Sequence, residues 1–200
     1  MSSTTLYLAS ASPRRHELLL QINVVHEVID VPAAPGEDEP RLKNESPLDY
    51  VQRTACDKAD RAVVWLEKQN PDSFNTSALI LTADTTVALG DIILGKPRDA
   101  VDATEILLML SGQTHLVHTA VVCARGSMRW EALSTSEVSF GDLSKETINA
   151  YVSTGEPFGK AGAYGIQGLA ASFIRELRGS YTGVMGLPLF ETSQLLWRCR

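Results

Sequence analysis

The 200-residue chain reads as an α/β protein with a mixed, twisted sheet and flanking helices, and its length suits one domain (1–200) or two intimate lobes. Two observations predict this. Short apolar runs alternate with stretches of helical periodicity, which favours layers of helix on sheet. Tight hairpin signals and long crossover connections also occur in the same chain, so parallel and antiparallel pairing are both expected. The length is enough to bury a sizeable core.

In order, residues 5–9 read as a buried strand, and Ser12-Pro13 opens a helix that continues through Leu18, Leu19 and Leu20. Val24 to Ile29 reads as a second strand. Residues 31–45, rich in Pro, Gly and charge, form a loop long enough to suspect function. Ser46-Pro47-Leu48-Asp49 resembles a capping box, and Leu48, Val51, Ala55, Ala59, Ala62, Val63 and Leu66 mark a helix over about 47–68. Ala78 to Thr82 is a short strand ending in Ala83-Asp84-Thr85-Thr86, followed by a hairpin from Val87 to Leu94 around Gly90-Asp91. A helix over 99–111 stops at Gly112, and two long strands run from Leu116 to Ala124 and from Trp130 to Phe140. Ser144 starts a short helix ending near Gly155. Beyond a glycine-dense segment, a strand pair is expected near 172–178, and Pro188 opens a C-terminal helix.

Bulk properties narrow the function. A net charge of −6 argues against non-specific binding of nucleic acid, but not against a small anion in a local basic pocket. Cys56, Cys123 and Cys199 form no CxxC pair, so neither a zinc site nor a disulfide framework is expected, and a reducing, cytoplasmic setting fits. The N-terminus has no basic, apolar leader pattern, and no apolar run is long enough for a membrane span.

The pointed stretch is Ser10-Ala11-Ser12-Pro13-Arg14-Arg15. Helix N-termini favour anions, so two arginines there suit a phosphate held by guanidinium groups and orphan amides. A surface arginine pair beside a Ser-Pro helix start fits the same stretch. Asp84 suits metal binding or water activation at a strand end, although on this residue alone an Asx turn before the hairpin is the better reading. Lys58 falls at i+3 and i+4 from Ala55 and Ala62 on the apolar stripe, so it snorkels or reaches a cleft. Lys96 returns near Asp84 after the hairpin. Gly159 to Gly168 holds four glycines with Lys160, Tyr164 and Gln167, which favours a binding loop but matches neither a Walker A loop nor a GxGxxG fingerprint. His16, His26, His115 and His118 lie near no nucleophile pattern, so a triad hydrolase has no support. The basic candidates together suggest a polyphosphate site with a divalent metal bridging carboxylate and phosphate.

These stretches together resemble the Maf family of nucleotide pyrophosphatases, related in fold to the inosine-triphosphate pyrophosphatases. The resemblance rests on Leu8 to Arg15 with Leu18-Leu19, Ala83-Asp84-Thr85, Gly95-Lys96-Pro97, Leu110 to His115, Gly155-Glu156-Pro157, Lys160 to Gly168, and Gly186 to Leu189, in order along nearly the whole chain. It implies hydrolysis of a nucleoside triphosphate between the α and β phosphates. It places the proton acceptor at Asp84 and base preference at Arg14, Thr85 and Gln167. The Gly-Ala-Tyr-Gly-Ile-Gln-Gly form resembles the branch acting on dTTP and UTP, where a glutamine amide can both donate to and accept from a pyrimidine edge.

The loop after the second strand is longer than in the family. Counting back from Glu45-Ser46 puts its acidic residue at Glu39, with Glu37 and Asp38 as rivals. The expected site is then Asp84 as catalytic base; Ser10, Ser12, Arg14, Arg15, Lys58, Thr85, Lys96, Lys160 and Gln167 on substrate; and Glu39 with Asp84 on Mg²⁺ or Mn²⁺. The expected partner is a small nucleotide, with no nucleic acid and no membrane, and a homodimer is left open. The competing reading is a nucleotide-binding regulator of cell division with little catalysis.

Overall fold

A computed structural model describes residues 5–33, 40–69 and 78–199. Seven strands form one mixed sheet in the order β2-β1-β3-β5-β6-β7, with β4 pairing to β3 off this path. These are β1 (Leu6–Ala9), β2 (Glu27–Ile29), β3 (Leu79–Leu89), β4 (Ile92–Leu94), β5 (Thr114–Arg125), β6 (Met128–Phe140) and β7 (Ile174–Arg178). β1 runs parallel to β2 and β3; the other pairings are antiparallel.

The helices are α1 (Pro13–Gln21), α2 (Pro47–Gln69), α3 (Ala100–Leu110), α4 (Lys145–Ser153), α5 (Tyr181–Met185) and α6 (Leu189–Arg198). Side-chain caps start four of them, among them α5, where Ser180 Oγ accepts from Gly183 N (3.0 Å). The Ser46 hydroxyl accepts from Asp49 N (3.1 Å) at α2, Asp99 Oδ1 accepts from Asp102 N (2.9 Å) at α3, and Ser144 Oγ accepts from Thr147 N (3.2 Å) at α4. Ser12 occupies the cap position of α1 without a side-chain cap bond, and Pro13 follows it. No acidic residue lies in the first turn of α1.

Three apolar clusters account for the core. The alternation of β1 sends Leu6 and Leu8 against α1 and α6, while Tyr7 and Ala9 meet the side on which α2 lies. A third cluster gathers α3, α4, β4 and the 160–173 segment around Phe140 and Leu107, beyond the other two. None of the described helices is long and apolar enough to cross a membrane.

Strand β3 sets the site. β5 covers one of its edges from Ile80 to Ala88. On the other edge β1 pairs with Leu79–Leu81 and β4 with Val87–Leu89, so among the described residues no strand covers 82–86 there. The loops leaving β1 and β4 flank that opening, and Asp84 stands at its middle.

Several elements differ from the sequence reading. Asp84 does not end a strand: β3 runs on through it to Leu89, because the backbone of 84–86 pairs with β5 and Asp84 and Thr86 are buried. β2 begins only at Glu27, since Asn23 turns the chain at φ +55° and Val24 N bonds back to Leu19 O. The strand pair near 172–178 is one strand, β7, paired to β6 and preceded by a 3₁₀ segment from Leu169 to Phe173. Helix α5 was not foreseen.

Candidate active site

The cleft encloses about 680 Å³ and is lined from both sides of the opening along β3. From the β1–α1 turn come Ser10, Ser12, Arg14 and Arg15; from α2, Lys58; from β3, Asp84 and Thr85; from the loop after β4, Lys96; and from the glycine-dense loop, Lys160. Nine of the residues named from the sequence thus meet around one space. Gln167 is not among the lining residues and is exposed. Its Nε2 lies 3.5 Å from the point where a Cβ on Gly165 would sit, and the Lys160 stem approaches the same point at 3.1 Å. Gln167 therefore stands at the rim, beside a lysine that faces inward. Glu37, Asp38 and Glu39 lie outside the described residues.

Asp84 is 8% exposed. Its Oδ1 accepts from Lys58 Nζ at 2.5 Å, and its Oδ2 accepts from Thr54 Oγ1 at 2.8 Å. Burial pushes its pKa up, but the Lys58 charge and hydrogen bond, the Arg15 charge and the Thr54 bond outweigh burial and hold it below the ordinary aspartate value. Asp84 is consequently an ionised carboxylate in a largely dry setting. Thr54 was absent from the sequence reading; its i−4 relation to Lys58 on one helix face was the signal available.

Arg15 is a hub. Its Nε donates to Gly186 O (2.8 Å), Nη1 to Ser10 Oγ (3.3 Å) and Nη2 to Thr85 Oγ1 (3.4 Å). Thr119 Oγ1 donates to Gly183 O (2.8 Å) and lies 3.0 Å from Thr85 Oγ1. With the Thr119 proton used on Gly183, the Thr85 hydroxyl donates to Thr119, and donation runs one way from Arg15 to the α5 backbone. The guanidinium thereby fastens the β1–α1 turn to β3 and to the end of α5, where Gly186 takes φ +116°.

Lys160 has its pKa lowered first by burial and then by the positive charge of Arg14. The two cations come from separate elements, the β1–α1 turn and the glycine-dense loop, and repel within the cleft. An anion placed between them removes that repulsion, which is how phosphate-binding clefts are wired. Asp30 and Arg61 also line the cleft, and Val87, Val117, Val184 and Met185 form an apolar stretch of its wall beside Tyr164. The cleft thus has a charged part suited to phosphates and an apolar part suited to a ring.

His115 is buried and its pKa is lowered to about 4 by burial; its Nε2 pairs with Tyr164 Oη at 2.9 Å, and its Nδ1 has no partner among the described residues. It is a structural histidine beneath the cleft wall.

The donor set for a divalent cation is sparse. No group of three or more His, Cys, Asp or Glu that could hold a metal occurs among the described residues. The carboxylates lining the cleft there are Asp30 and Asp84. Mg²⁺ commonly binds through one or two carboxylates plus substrate phosphates, and an ionised carboxylate offers about four acceptor sites. Asp84, ionised and with two bonds in use, fits that mode.

A family model described as Maf-like protein matches residues 5–199. The chain is 55% identical over 193 residues to a dTTP/UTP pyrophosphatase of Bordetella parapertussis, covering 96% of this chain and 90% of that protein. It is 51% identical over 199 residues to a dTTP/UTP pyrophosphatase of Cupriavidus metallidurans, covering 97% and 96%. Among solved structures it is similar to a nucleoside-triphosphatase, a dITP/XTP pyrophosphatase of Mycobacterium abscessus, at TM-score 0.42 and 13% identity over 98% of this chain and 96% of that one. By the span of the family model and the closeness of these relatives, the chain belongs to the Maf-like protein family.

Proposed function

We propose that this protein is a nucleoside triphosphate pyrophosphatase that hydrolyses dTTP and UTP, and modified pyrimidine triphosphates, between the α and β phosphates. The observation that carries the reading is the buried, ionised Asp84 at the opening of β3, ringed by cations and facing an apolar ring-sized wall. The names of the relatives at 50–55% identity support the same substrates.

Arg14 and Lys160 take phosphate oxygens from opposite lobes, and Lys96 adds a cation from the loop after β4. Ser10, Ser12 and the α1 N-terminus offer hydroxyl and amide donors. Asp84 accepts a hydrogen bond from the attacking water and draws its proton, while Lys58 and Thr54 fix the carboxylate's orientation. Arg15 holds Thr85 and the cleft wall. Arg14 and Thr85, with Gln167 at the rim, discriminate the base. Asp84 with Glu39 would hold Mg²⁺ or Mn²⁺, which supplies charge neutralisation on the phosphates. A carboxylate bound directly to metal is a weak base, so one of the two acts through a bound water. The chain works as one domain of two lobes, in the cytoplasm, on a free nucleotide rather than on nucleic acid.

A panel of nucleoside triphosphates assayed with Mg²⁺ and with Mn²⁺, scoring pyrophosphate against orthophosphate, tests this. dTTP and UTP should give pyrophosphate and monophosphate in equal amounts. Dominant orthophosphate release, or nucleotide binding without turnover, overturns it; the latter would favour a nucleotide-binding regulator.

A further inference from the structure

Glu156 lies within the turn that follows α4 and outside the cleft lining. Its carboxylate makes two directed bonds. Oε1 accepts from Tyr151 Oη at 2.9 Å, and Oε2 accepts from Leu169 N at 3.0 Å. Tyr151 Oη in turn lies 3.4 Å from Gly165 N, which donates to it. The backbone carbonyl of Glu156 also accepts from Lys160 Nζ. One residue therefore touches the loop at its start, near its middle through Tyr151, and at its end.

The fit is close. A Cβ on Gly168 would meet the Glu156 carboxylate at 2.3–2.5 Å, so only glycine admits this approach. Tyr151 is 3% exposed, and its ring packs edge-on against Phe173, 5.0 Å between centroids. The clip is anchored in the core, while the loop it holds carries Lys160 and Tyr164 into the cleft and Gln167 to its rim.

We propose that Glu156, with Tyr151, is a positioning residue that sets the register of the 160–169 loop, and through it nucleotide affinity and base discrimination. This rests on the pyrophosphatase reading. The physical reason is that a glycine-rich loop has many competing conformations, and three fixed points select one of them. Loss of these side-chain bonds frees the Gly165–Leu169 stretch that carries Gln167, while the Lys160 bond to the Glu156 carbonyl and Asp84, Lys58 and Thr54 on β3 and α2 are untouched.

The test compares the wild type with Glu156→Gln and with Tyr151→Phe, which keeps the ring in the core. In both variants KM for dTTP should rise about tenfold, as expected for loss of interactions that position ground state and transition state alike, with kcat changed less than about threefold. The preference for dTTP over dCTP should fall in parallel. Backbone amide exchange at Gly165 in both variants, and at Leu169 in Glu156→Gln, should speed up. A fall in kcat with KM and nucleotide preference unchanged overturns the proposal, as does unchanged exchange at both amides. If the wild type turns over no nucleotide, the pyrophosphatase reading fails while faster exchange still upholds the clip, and calorimetric affinity for dTTP then decides its positioning role: weaker binding upholds it and equal binding overturns it.

Discussion

Lys58 Nζ and Asp84 Oδ1 meet at 2.5 Å, one from the middle of α2 and the other from the uncovered stretch of β3. The pair joins two elements that the apolar core also packs together, so its geometry is fixed by the fold rather than by side-chain flexibility. It keeps a buried carboxylate charged, and it holds that carboxylate at the cleft.

Asp84→Asn keeps the size and the acceptor facing Lys58 but removes the negative charge. Pyrophosphate release from dTTP should fall by at least about a hundredfold, the range for loss of a general base. Nucleotide affinity measured by calorimetry should change little. Retained turnover would remove Asp84 from the chemistry.

Lys58→Met leaves burial as the largest influence on Asp84, so its pKa rises and the acid limb of the kcat/KM profile should move to higher pH. The pair also contributes to stability. Because the folded-state pKa of Asp84 is depressed, that contribution is present above the ordinary aspartate value of about 3.9 and is lost as pH falls through the folded value. At neutral pH the variant should lose roughly 2 kcal/mol, below the cost of breaking a fully buried pair because Lys58 is partly exposed. Urea unfolding at pH 7 and the pH–rate profile check both statements.

Arg15→Lys preserves charge but not the three-way donation to Gly186, Ser10 and Thr85. A lysine ammonium cannot span those acceptors in one plane. Stability should drop by about 1–2 kcal/mol, read as a lower urea midpoint, and KM for dTTP should rise as the turn carrying Arg14 loosens. If Arg15 served only as a phosphate charge, the lysine would restore most function and stability would not change.

His115 makes stability fall on the acid side of neutrality. Burial lowers its folded pKa to about 4, so between the unfolded value of 6.5 and that point the unfolded chain takes up a proton that the folded chain refuses. The unfolding free energy should decline by about 1.4 kcal/mol per pH unit across that window. His118, also lowered by burial, acts in the same direction. His115→Phe should start from lower stability at pH 7, with Tyr164 Oη deprived of its partner, yet show a flatter decline in urea titrations at pH 7, 6 and 5.

Most elements and nine of the residues that line the cleft were legible in the sequence, because turns, caps and helical periodicity are local signals; Asp30 and Arg61, which also line it, were not. The capping box at Ser46 and the hairpin at Gly90-Asp91 are of that kind. The stretch around Asp84 was not, since Asp-Thr-Thr resembles the end of a strand when its partners are out of view. Those partners, Lys58, Thr54, Thr119 and Arg15, arrive from three other elements and satisfy the polar groups inside the sheet.

The sequence alone marked six of the charged residues that line the cleft, Arg14, Arg15, Lys58, Asp84, Lys96 and Lys160, each by its local setting or by its place in a family pattern. Only the tertiary structure decided how their work divides. Arg15 spends its guanidinium on backbone and hydroxyl partners, Asp84 lies within a continuous strand, and Gln167 stands at the rim on a loop bonded to Glu156 and Tyr151. The reason is physical: a side chain's role depends on which distant groups satisfy its donors and acceptors. Residue type and local spacing say what it can offer, and strand order and helix packing settle what it meets.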